Sequence, residues 1–326
     1  MTTSVQVTIH PSQFPDSVRR DLLASLRTRR VNHKFHYDSV KQTQKWLALH
    51  EAYSPARRDK DCLVTYNRAF DRATAQIKAR QIHVIGLGCG GGQKDVQLLR
   101  RLQARGKKIS YTPGDVSVAL VLVARAAALK ILPPKKCFPF VFDLATAEDL
   151  PESLAQNRPL RGASLVTFFG MIPNFEPGQI LPKLTELLRP KDYLLFSANL
   201  APGNGYAAGM NKILPQYDNL LTRDWLTAFL FDLGVAERDG QLRFTIETGG
   251  LGLQRVVARF HLRRSQRIQV SGREFFFVRG DAIRLFFSYR YTPARATKLL
   301  VRHGLEVCQQ WIAASGEEGV FLCRRK

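Results

Sequence analysis

The sequence predicts an α/β protein built on a parallel sheet with helices on both faces. Between about residues 80 and 200, short apolar runs alternate with amphipathic ones at the spacing of strand–helix units. The first apolar run ends in "GLGCGGG", residues 86–92, where five of seven positions are glycine. After residue 200 helix-like and then strand-like runs follow, which predicts an inserted α+β lobe.

The elements of the predicted core follow one another in order. Five apolar runs predict the strands: "IHVIGL" (82–87), "KISYTPGDVS" (108–117), "CFPFVFDL" (137–144), "ASLVTFFGMI" (163–172) and "DYLLFSANL" (192–200). Three runs between them predict helices: "KDVQLLRRLQARG" (94–106), "SVALVLVARAAALK" (117–130) and "PGQILPKLTELL" (177–188). Ser117 is the expected N-cap of the second helix, because its hydroxyl can accept a hydrogen bond from an unpaired backbone N–H group.

Outside this core the pattern predicts other elements. Residues 11–75 and 200–235 read as helical, and the tail from residue 296 reads as helix, strand, turn and strand. Antiparallel strands are predicted within residues 240–280: "QLRFTIET", "LQRVVARFHL" and "REFFFV". The chain is therefore expected to divide into a core and a substrate-binding part: 61–199 with 285–326, and 1–60 with 200–284.

Composition limits the function classes. No apolar stretch approaches the roughly 20 residues of a membrane span, and the N-terminus lacks the apolar core of a signal peptide. The cysteines are five, scattered and without CxxC pairs, and the histidines show no ligand spacing, so we expect reduced thiols, a cytoplasmic protein and no metal site. The net charge of +22 allows a nucleic-acid partner, although short basic pairs spread over the whole chain concentrate it nowhere.

The glycine-rich loop predicts a ligand at the carboxyl ends of the strands. Gly86, Gly88 and Gly91 fit the GxGxxG pattern of dinucleotide sites. The same loop fits E/D-x-G-x-G, the S-adenosylmethionine (SAM) pattern, with Gly86 where an acid usually stands. A purely structural tight turn is the third interpretation.

The ends of the next strands favour SAM. Asp115 ends the second strand, where a carboxylate can accept both ribose hydroxyls of either cofactor. Asp143 ends the third strand, where SAM enzymes hold the adenine amino group. "FFGMIPNF" ends the fourth strand with a Pro-Asn-aromatic turn, which holds the target nitrogen in amine methyltransferases. These features in this order favour SAM over a dinucleotide.

With these residues the chain resembles the histidine-specific SAM-dependent methyltransferases, typified by the histidine Nα-methyltransferase of ergothioneine biosynthesis. "KFHYD" (34–38) and "LHEAYSPAR" (49–57) are similar to the family's KWFYD…LPEYYPTR. "GLGCGGGQK" is similar to ELGSGxxxK, "YTPGDVS" to Y/F-x-P-x-DVS, and "FFGMIPNFEP" to FLGSTIGNLxP with one residue fewer. The resemblance runs over nearly the whole chain and implies a Rossmann-like SAM-dependent methyltransferase core.

The resemblance also implies residue roles. Asn174 would hydrogen-bond the substrate amine as the catalytic residue, and Tyr37 and Tyr53 would wall the substrate pocket. The residues implied to line the SAM site are Gly86, Gly88, Cys89, Gly90, Lys94, Asp115, Val116, Asp143, Leu144, Phe169 and Gly170. The inserted lobe would supply the rest of the substrate pocket.

Departures from the family pattern concern both ligands. Gly86 replaces the family's glutamate, so a carboxylate on the cofactor side is missing. Asn211 stands where the family has the tyrosine that binds the amino-acid carboxylate, with Tyr206 and Tyr217 nearby as replacements. The contact to a substrate carboxylate is therefore left open.

The strand "RLFFSYRY" is similar to the family's LTEVSCKF and carries the third departure. Ser288 keeps the serine, but Phe286 replaces the glutamate that pairs with imidazole, and Ala258 lies near the position of a bulkier methionine. A charged hydrogen bond of about 1.5–3 kcal/mol would be lost to a histidine substrate. The predicted pocket therefore prefers an uncharged aromatic side chain over imidazole.

The sequence thus predicts a SAM-dependent N-methyltransferase that acts on the amino group of an aromatic amino acid or aryl-alkyl amine. A basic SAM enzyme that modifies RNA or DNA is the second hypothesis, carried by the net charge. A non-catalytic SAM-fold protein is the third, supported only by Gly86. The substrate, the number of methyl groups and the oligomeric state are left open.

Overall fold

An eight-stranded sheet forms the core of the computed structural model, which describes residues 4–54 and 59–326. Its strand order is β1-β4-β3-β2-β5-β6-β13-β12; β13 runs antiparallel to both neighbours, and the other pairs are parallel. The strands are β1 (Thr8–Ile9), β2 (Gln81–Leu87), β3 (Lys108–Asp115), β4 (Phe140–Val141), β5 (Ala163–Phe168), β6 (Tyr193–Asn199), β12 (Leu305–Ile312) and β13 (Glu318–Arg325). The predicted α/β core with parallel strands is confirmed.

Helices cover both faces of this sheet because their apolar positions recur at helical spacing. The helices of the described chain, including those that pack on the inserted lobe, are α1 (Pro15–Thr28), α2 (Val40–Tyr53), α3 (Lys60–Gln76), α4 (Gln93–Ala104), α5 (Val118–Ala128), α6 (Leu150–Ala155), α7 (Pro177–Glu186), α8 (Tyr206–Tyr217), α9 (Leu220–Asp232) and α10 (Pro293–Arg302). In α4, for example, Leu98, Leu99 and Leu102 are fully buried. Ser117 caps α5 by accepting a hydrogen bond from Leu120 N, as predicted.

The strand order places a ligand site at the glycine-rich loop. From β2 the chain passes to β3 and β4 on one side, and then returns to β5 on the other side of β2. The loops after β2 and β5 therefore diverge and leave a crevice at the carboxyl ends of these strands, which is where open α/β sheets bind ligands.

The inserted lobe is a second, antiparallel sheet. Its order is β11-β8-β7, with the hairpin β9–β10 beside it. Its strands are β7 (Gly240–Thr248), β8 (Gln254–Leu262), β9 (Gln266–Val270), β10 (Arg273–Phe277) and β11 (Ala282–Tyr289). The N-terminal segment packs on this lobe, because Phe35 and Trp225 share one apolar cluster and Trp225 Nε1 donates to His36 O at 2.7 Å.

Two sequence predictions need revision, and the predicted division of the chain stays a prediction. The third core strand, predicted over 137–144, is reduced to Phe140–Val141, since Pro139 has no N–H group to donate to a sheet. The helical reading of 11–75 is interrupted by a 3₁₀ turn at His33–His36. The predicted domain boundary at 284/285 lies inside β11, which pairs with β8 along its length.

Within the described residues, the structure contains no helix of the length and apolarity needed to cross a membrane. Residues 55–57 of the "LHEAYSPAR" block lie outside the described part of the chain.

Candidate active site

A cavity of about 1070 Å³ lies at the carboxyl ends of β2 and β5, between the core sheet and the lobe. It brings together many of the residues predicted from the sequence: Tyr37, Tyr53, Gly88, Cys89, Gly90, Lys94, Phe169, Gly170, Asn174, Tyr217, Phe286 and Ser288. We call residues 86–95 with Phe169 and Gly170 the cofactor half; Gly86, predicted for the SAM site, and Gly92 do not themselves line the cavity. The substrate half comprises Tyr37, Trp46, Asn174, Tyr217, Trp225, Phe286 and Ser288.

The glycine loop needs glycine for both conformation and space. Gly88 and Gly90 have φ angles of +65° and +51°, a region that side chains other than glycine rarely adopt. A Cβ atom on Gly88 would lie 2.6 Å from Met171 Sδ, and one on Gly90 would lie 2.7 Å from Trp46 Cη2. Met171 and Trp46 therefore hold the loop between them, and the sequence patterns indicated neither contact.

Asp95 places a carboxylate beside Gly86, the position where the family pattern has a glutamate. A Cβ atom on Gly86 would lie 2.3 Å from Asp95 Oδ2, so this carboxylate occupies the space of a larger side chain at position 86. Asp95 lines the cavity, is 3% exposed, and accepts hydrogen bonds from Tyr111 (2.7 Å) and Thr167 (2.8 Å). Burial raises the pKa of Asp95, while these hydrogen bonds and the Lys94 ammonium oppose the rise.

Lys94 is fixed at the floor of the cofactor half. Its Nζ donates to Tyr66 Oη at 2.8 Å and lies 4.1 Å from the centre of that ring. Tyr66 in turn donates to the buried Glu318 carboxylate. Burial lowers the pKa of Lys94, and the negative charge of Glu318 opposes this shift. An ammonium has three N–H groups, so this arrangement leaves donors for an anionic ligand in the cavity.

Asp115 lies behind the glycine loop rather than on the cavity wall. Its carboxylate accepts from Gly90 N and from Ser117 N, both at 3.1 Å. Burial raises its pKa to about 6, and the backbone hydrogen bonds oppose this rise. The neighbouring Val116 is half-buried, and its carbonyl accepts from Gln13 Nε2.

Asp143 also lies outside the cavity lining. Its Oδ1 accepts from Ala145 N at 2.9 Å. Its Oδ2 is buried; Lys34 Nζ is 3.4 Å away without hydrogen-bond geometry, and no described residue donates a hydrogen bond to it. Leu144 is buried in the apolar core. The unsatisfied Oδ2 atom fits an amino-group donor such as that of adenine, and the glycine loop fits a ligand pressed against backbone.

Asn174 lies where the two halves meet. It ends the short turn Ile172–Asn174 after β5, and its Nδ2 donates to Phe287 O of β11 at 2.8 Å. This hydrogen bond fixes the amide, so the remaining oxygen Oδ1 can accept an N–H group in the cavity. The turn therefore joins core and lobe through one side chain.

Aromatic rings form the walls of the substrate half. Trp225 lies 5.5 Å from Tyr37 and 5.7 Å from Phe286 between ring centres, and Tyr37 lies 5.9 Å from Trp46. These edge-on contacts are typical of packed aromatic pairs. Trp46 and Trp225 were missed from the sequence, because they belong to helices remote in the chain from the glycine loop. Tyr53 is 51% exposed and lies at the rim.

Three residues lie elsewhere than expected. The Tyr206 hydroxyl donates to Arg290 O and accepts from Gln254 N, so it holds lobe backbone instead of facing the cavity. Ala258 is fully buried and lies beside Phe286, its partner in the sheet register, and it does not line the cavity. Asn211 is exposed on α8. Of the residues considered for the carboxylate contact, Tyr217 lines the cavity.

Comparisons with known proteins agree with a methyltransferase. A family model described as "Histidine-specific methyltransferase, SAM-dependent" matches residues 18–205 and 252–325. The chain is 26% identical over 285 residues to the N-methyltransferase imqF of Aspergillus flavus, covering 82% of this chain and 73% of that protein.

Solved structures show weaker likeness. The CMeT domain of the citrinin polyketide synthase matches with a TM-score of 0.46 and 13% identity, over 88% of this chain and 57% of that one. A Burkholderia thailandensis 1,6-didemethyltoxoflavin-N1-methyltransferase, crystallised with its substrate and S-adenosylhomocysteine, matches with a TM-score of 0.43 and 11% identity, over 100% and 93%. Because these TM-scores are low, the fold is assigned from the strand order of this chain and not from its similarity to these structures.

Proposed function

This chain belongs to the family of histidine-specific SAM-dependent methyltransferases, and from that premise we propose that it methylates the amino nitrogen of a small aromatic amine or amino acid. The observation that carries the proposal is the amide of Asn174. Because its nitrogen is bound to Phe287 O, its oxygen is left for a substrate N–H group between the cofactor half and the aromatic walls.

The chain's contribution to the reaction is mainly positional. SAM, when bound, supplies a methyl group activated by a positively charged sulfur. Asn174 accepts one N–H of a neutral amine and thereby aims the nitrogen lone pair across the cavity. Holding the reacting atoms at about 3 Å in line supplies a large part of the rate increase in such reactions. An amide on a turn tied to β11 gives this position little freedom.

The cofactor half, together with Asp115 and Asp143 outside the cavity lining, offers one group for each polar part of SAM. Lys94 would bind the methionine carboxylate, and Asp95 would accept from its ammonium. Asp115 would accept from the ribose hydroxyls, and Asp143 Oδ2 from the adenine amino group. In this role Asp95 would supply the acid that position 86 lacks, and Gly86 would then give no support to a non-catalytic protein.

The substrate half favours an uncharged aromatic side chain. Phe286 lies among Tyr217, Trp225 and His33, with ring centres 5.3–6.3 Å apart. A charged imidazole would lose its hydration in this apolar surround and gain no carboxylate at position 286 in return. A phenyl, phenol or indole ring would instead form the edge-on or offset contacts that aromatic pairs prefer.

The net charge of +22 supports a second candidate, a methyltransferase for RNA or DNA. Such an enzyme should co-purify with nucleic acid that absorbs at 260 nm and leaves only at high salt, because phosphate contacts weaken steeply with ionic strength. Methylation of an oligonucleotide and of no free amine would favour this candidate.

The proposal is tested by incubating the purified protein with SAM and a panel of amino acids and biogenic amines, read by mass spectrometry. We expect a mass gain of one or more methyl groups on the amino nitrogen of an aromatic member, in equal amount with S-adenosylhomocysteine. SAM binding measured by calorimetry, with no product from any amine, would contradict the proposal.

A further inference from the structure

Arg290 is a buried cation that has no carboxylate partner in the described structure; its guanidinium carbon lies 5.4 Å from the centre of the Tyr217 ring. It is 7% exposed and lines the cavity together with Phe286 and Ser288, four and two residues earlier. Phe286 and Ser288 alternate along β11 and Arg290 directly follows it; alternate residues of an extended chain share a face, and all three line the cavity. No carboxylate oxygen of a described residue lies within the 4.0 Å of an ion pair from its guanidinium.

The hydrogen bonds of Arg290 leave donors free. Nε donates to Tyr217 Oη at 3.1 Å and Nη1 donates to Leu200 O at 3.3 Å, while Nη2 donates to no described residue. The Tyr217 hydroxyl in turn donates a hydrogen bond to Ser288 Oγ at 2.7 Å. The Ser288 hydroxyl then keeps one proton with no described acceptor. A guanidinium edge and a hydroxyl are thus both left to donate into the cavity.

Two acids of the cavity lining, Glu317 and Glu318, are bound to other residues. Gln216 Nε2 donates to the Glu317 carboxylate at 3.1 Å, and Tyr66 donates to Glu318. Since a buried cation without a counter-charge is costly, an anionic ligand would stabilise this end of the cavity. One guanidinium and one hydroxyl among aromatic walls suit a planar, singly charged carboxylate.

We propose that Arg290, with Ser288 and positioned by Tyr217, binds the carboxylate of the substrate, which makes the substrate an aromatic amino acid and not its decarboxylated amine. Ser288 follows Phe287, whose carbonyl holds the Asn174 amide, so the amine contact and the carboxylate contact are on neighbouring residues of β11. This inference rests on the proposed function, because it assigns the second polar group of the same substrate.

The test compares matched pairs that differ only in the carboxylate: phenylalanine with phenethylamine, tyrosine with tyramine, and tryptophan with tryptamine. Wild type should favour the carboxylate member in kcat/KM. In Arg290→Gln this preference should fall by about 10- to 100-fold, the scale of a lost charged hydrogen bond, with the amine member nearly unchanged. Arg290→Lys should keep part of the preference. Arg273→Gln, an exposed arginine of the lobe, is the matched control and should behave as wild type.

A binding measurement keeps this test separate from the proposed function. With S-adenosylhomocysteine present, wild type should bind 3-phenylpropanoate more tightly than neutral 3-phenylpropanamide, and Arg290→Gln should abolish the difference. The proposal is overturned if wild type does not distinguish the two probes, or if Arg290→Gln weakens SAM instead, which would assign Arg290 to the methionine carboxylate. Absence of turnover on every amine, with the probe difference intact, would defeat the proposed function alone.

Discussion

The two halves of the cavity differ in whether another carboxylate replaces an acidic residue of the family pattern. In the cofactor half, Gly86 stands where the family has an acid, and the Asp95 carboxylate occupies the same space. The negative charge is therefore conserved. In the substrate half, Phe286 removes an acid and its surroundings are the rings of His33, Tyr217 and Trp225, so the charge is gone. The chain's family is SAM-dependent, and this contrast supports the proposal that its substrate differs from histidine.

Asp115→Ala gives the largest expected effect on the cofactor half. It removes two hydrogen bonds proposed for the ribose, so SAM affinity should fall by about 2–4 kcal/mol, roughly 30- to 900-fold, with some replacement by water. Calorimetry measures this directly. Unchanged affinity would show that the end of β3 does not contact the cofactor.

Asn174→Ala should affect turnover, which depends on the substrate half, but not SAM affinity, which depends on the cofactor half. Turnover should fall by about 100-fold or more because the amine is no longer aimed, whereas SAM affinity should stay nearly unchanged. Asn211→Ala removes an exposed asparagine outside the cavity and should leave both quantities at the wild-type value. Equal losses of turnover and SAM affinity in Asn174→Ala would assign it to the fold or to the cofactor.

Mutation can move the carboxylate from position 95 back to position 86. Asp95→Ala should weaken SAM binding by about 10-fold or more, the scale of one lost charged hydrogen bond. The double variant Gly86→Glu with Asp95→Ala should recover most of this affinity, because the shorter residue leaves room for the glutamate. Gly86→Glu alone should be the least stable of the three in thermal unfolding, since Asp95 Oδ2 lies 2.3 Å from the new Cβ atom. If the double variant does not recover SAM affinity, the Asp95 carboxylate does not replace a carboxylate at position 86.

The smallest effect is a pH dependence confined to the cofactor half. The pKa of Asp115 is about 6, raised by burial, and ribose hydroxyls would favour its ionised form. SAM affinity should therefore weaken about 10-fold from pH 7 to pH 5, as the carboxylate takes up a proton that binding must release. Above pH 7 the affinity should be level. Asp115→Asn should show a flat profile over this range; the same slope in the variant would assign the titration to another group.

The sequence predicted most of the cofactor half because its signals are local. The loop glycines follow β2, Lys94 lies in the first turn of α4, and Phe169 and Gly170 follow β5, so the order of apolar runs fixes where these residues lie. Gly88 and Gly90 both adopt the positive φ angles that the glycine cluster suggested.

The substrate half was harder to predict because remote segments meet there. Trp46 and Trp225 are 179 residues apart in the chain, and only the packing of α2 and α9 brings their rings to one cavity. Asp95 was missed for a different reason: it looked like an ordinary first-turn residue of α4, whereas its role depends on the empty space at Gly86.

The central claim, a retained cofactor half beside a substrate half without the imidazole partner, is tested most directly by competition. The wild-type enzyme is given SAM with equal amounts of histidine, phenylalanine, tyrosine and tryptophan, and the methylated products are quantified by mass. An aromatic amino acid should exceed histidine by about 10-fold or more, because no carboxylate compensates the imidazole at Phe286. Histidine exceeding the others by an order of magnitude would contradict the account of Phe286 and the substrate class derived from it.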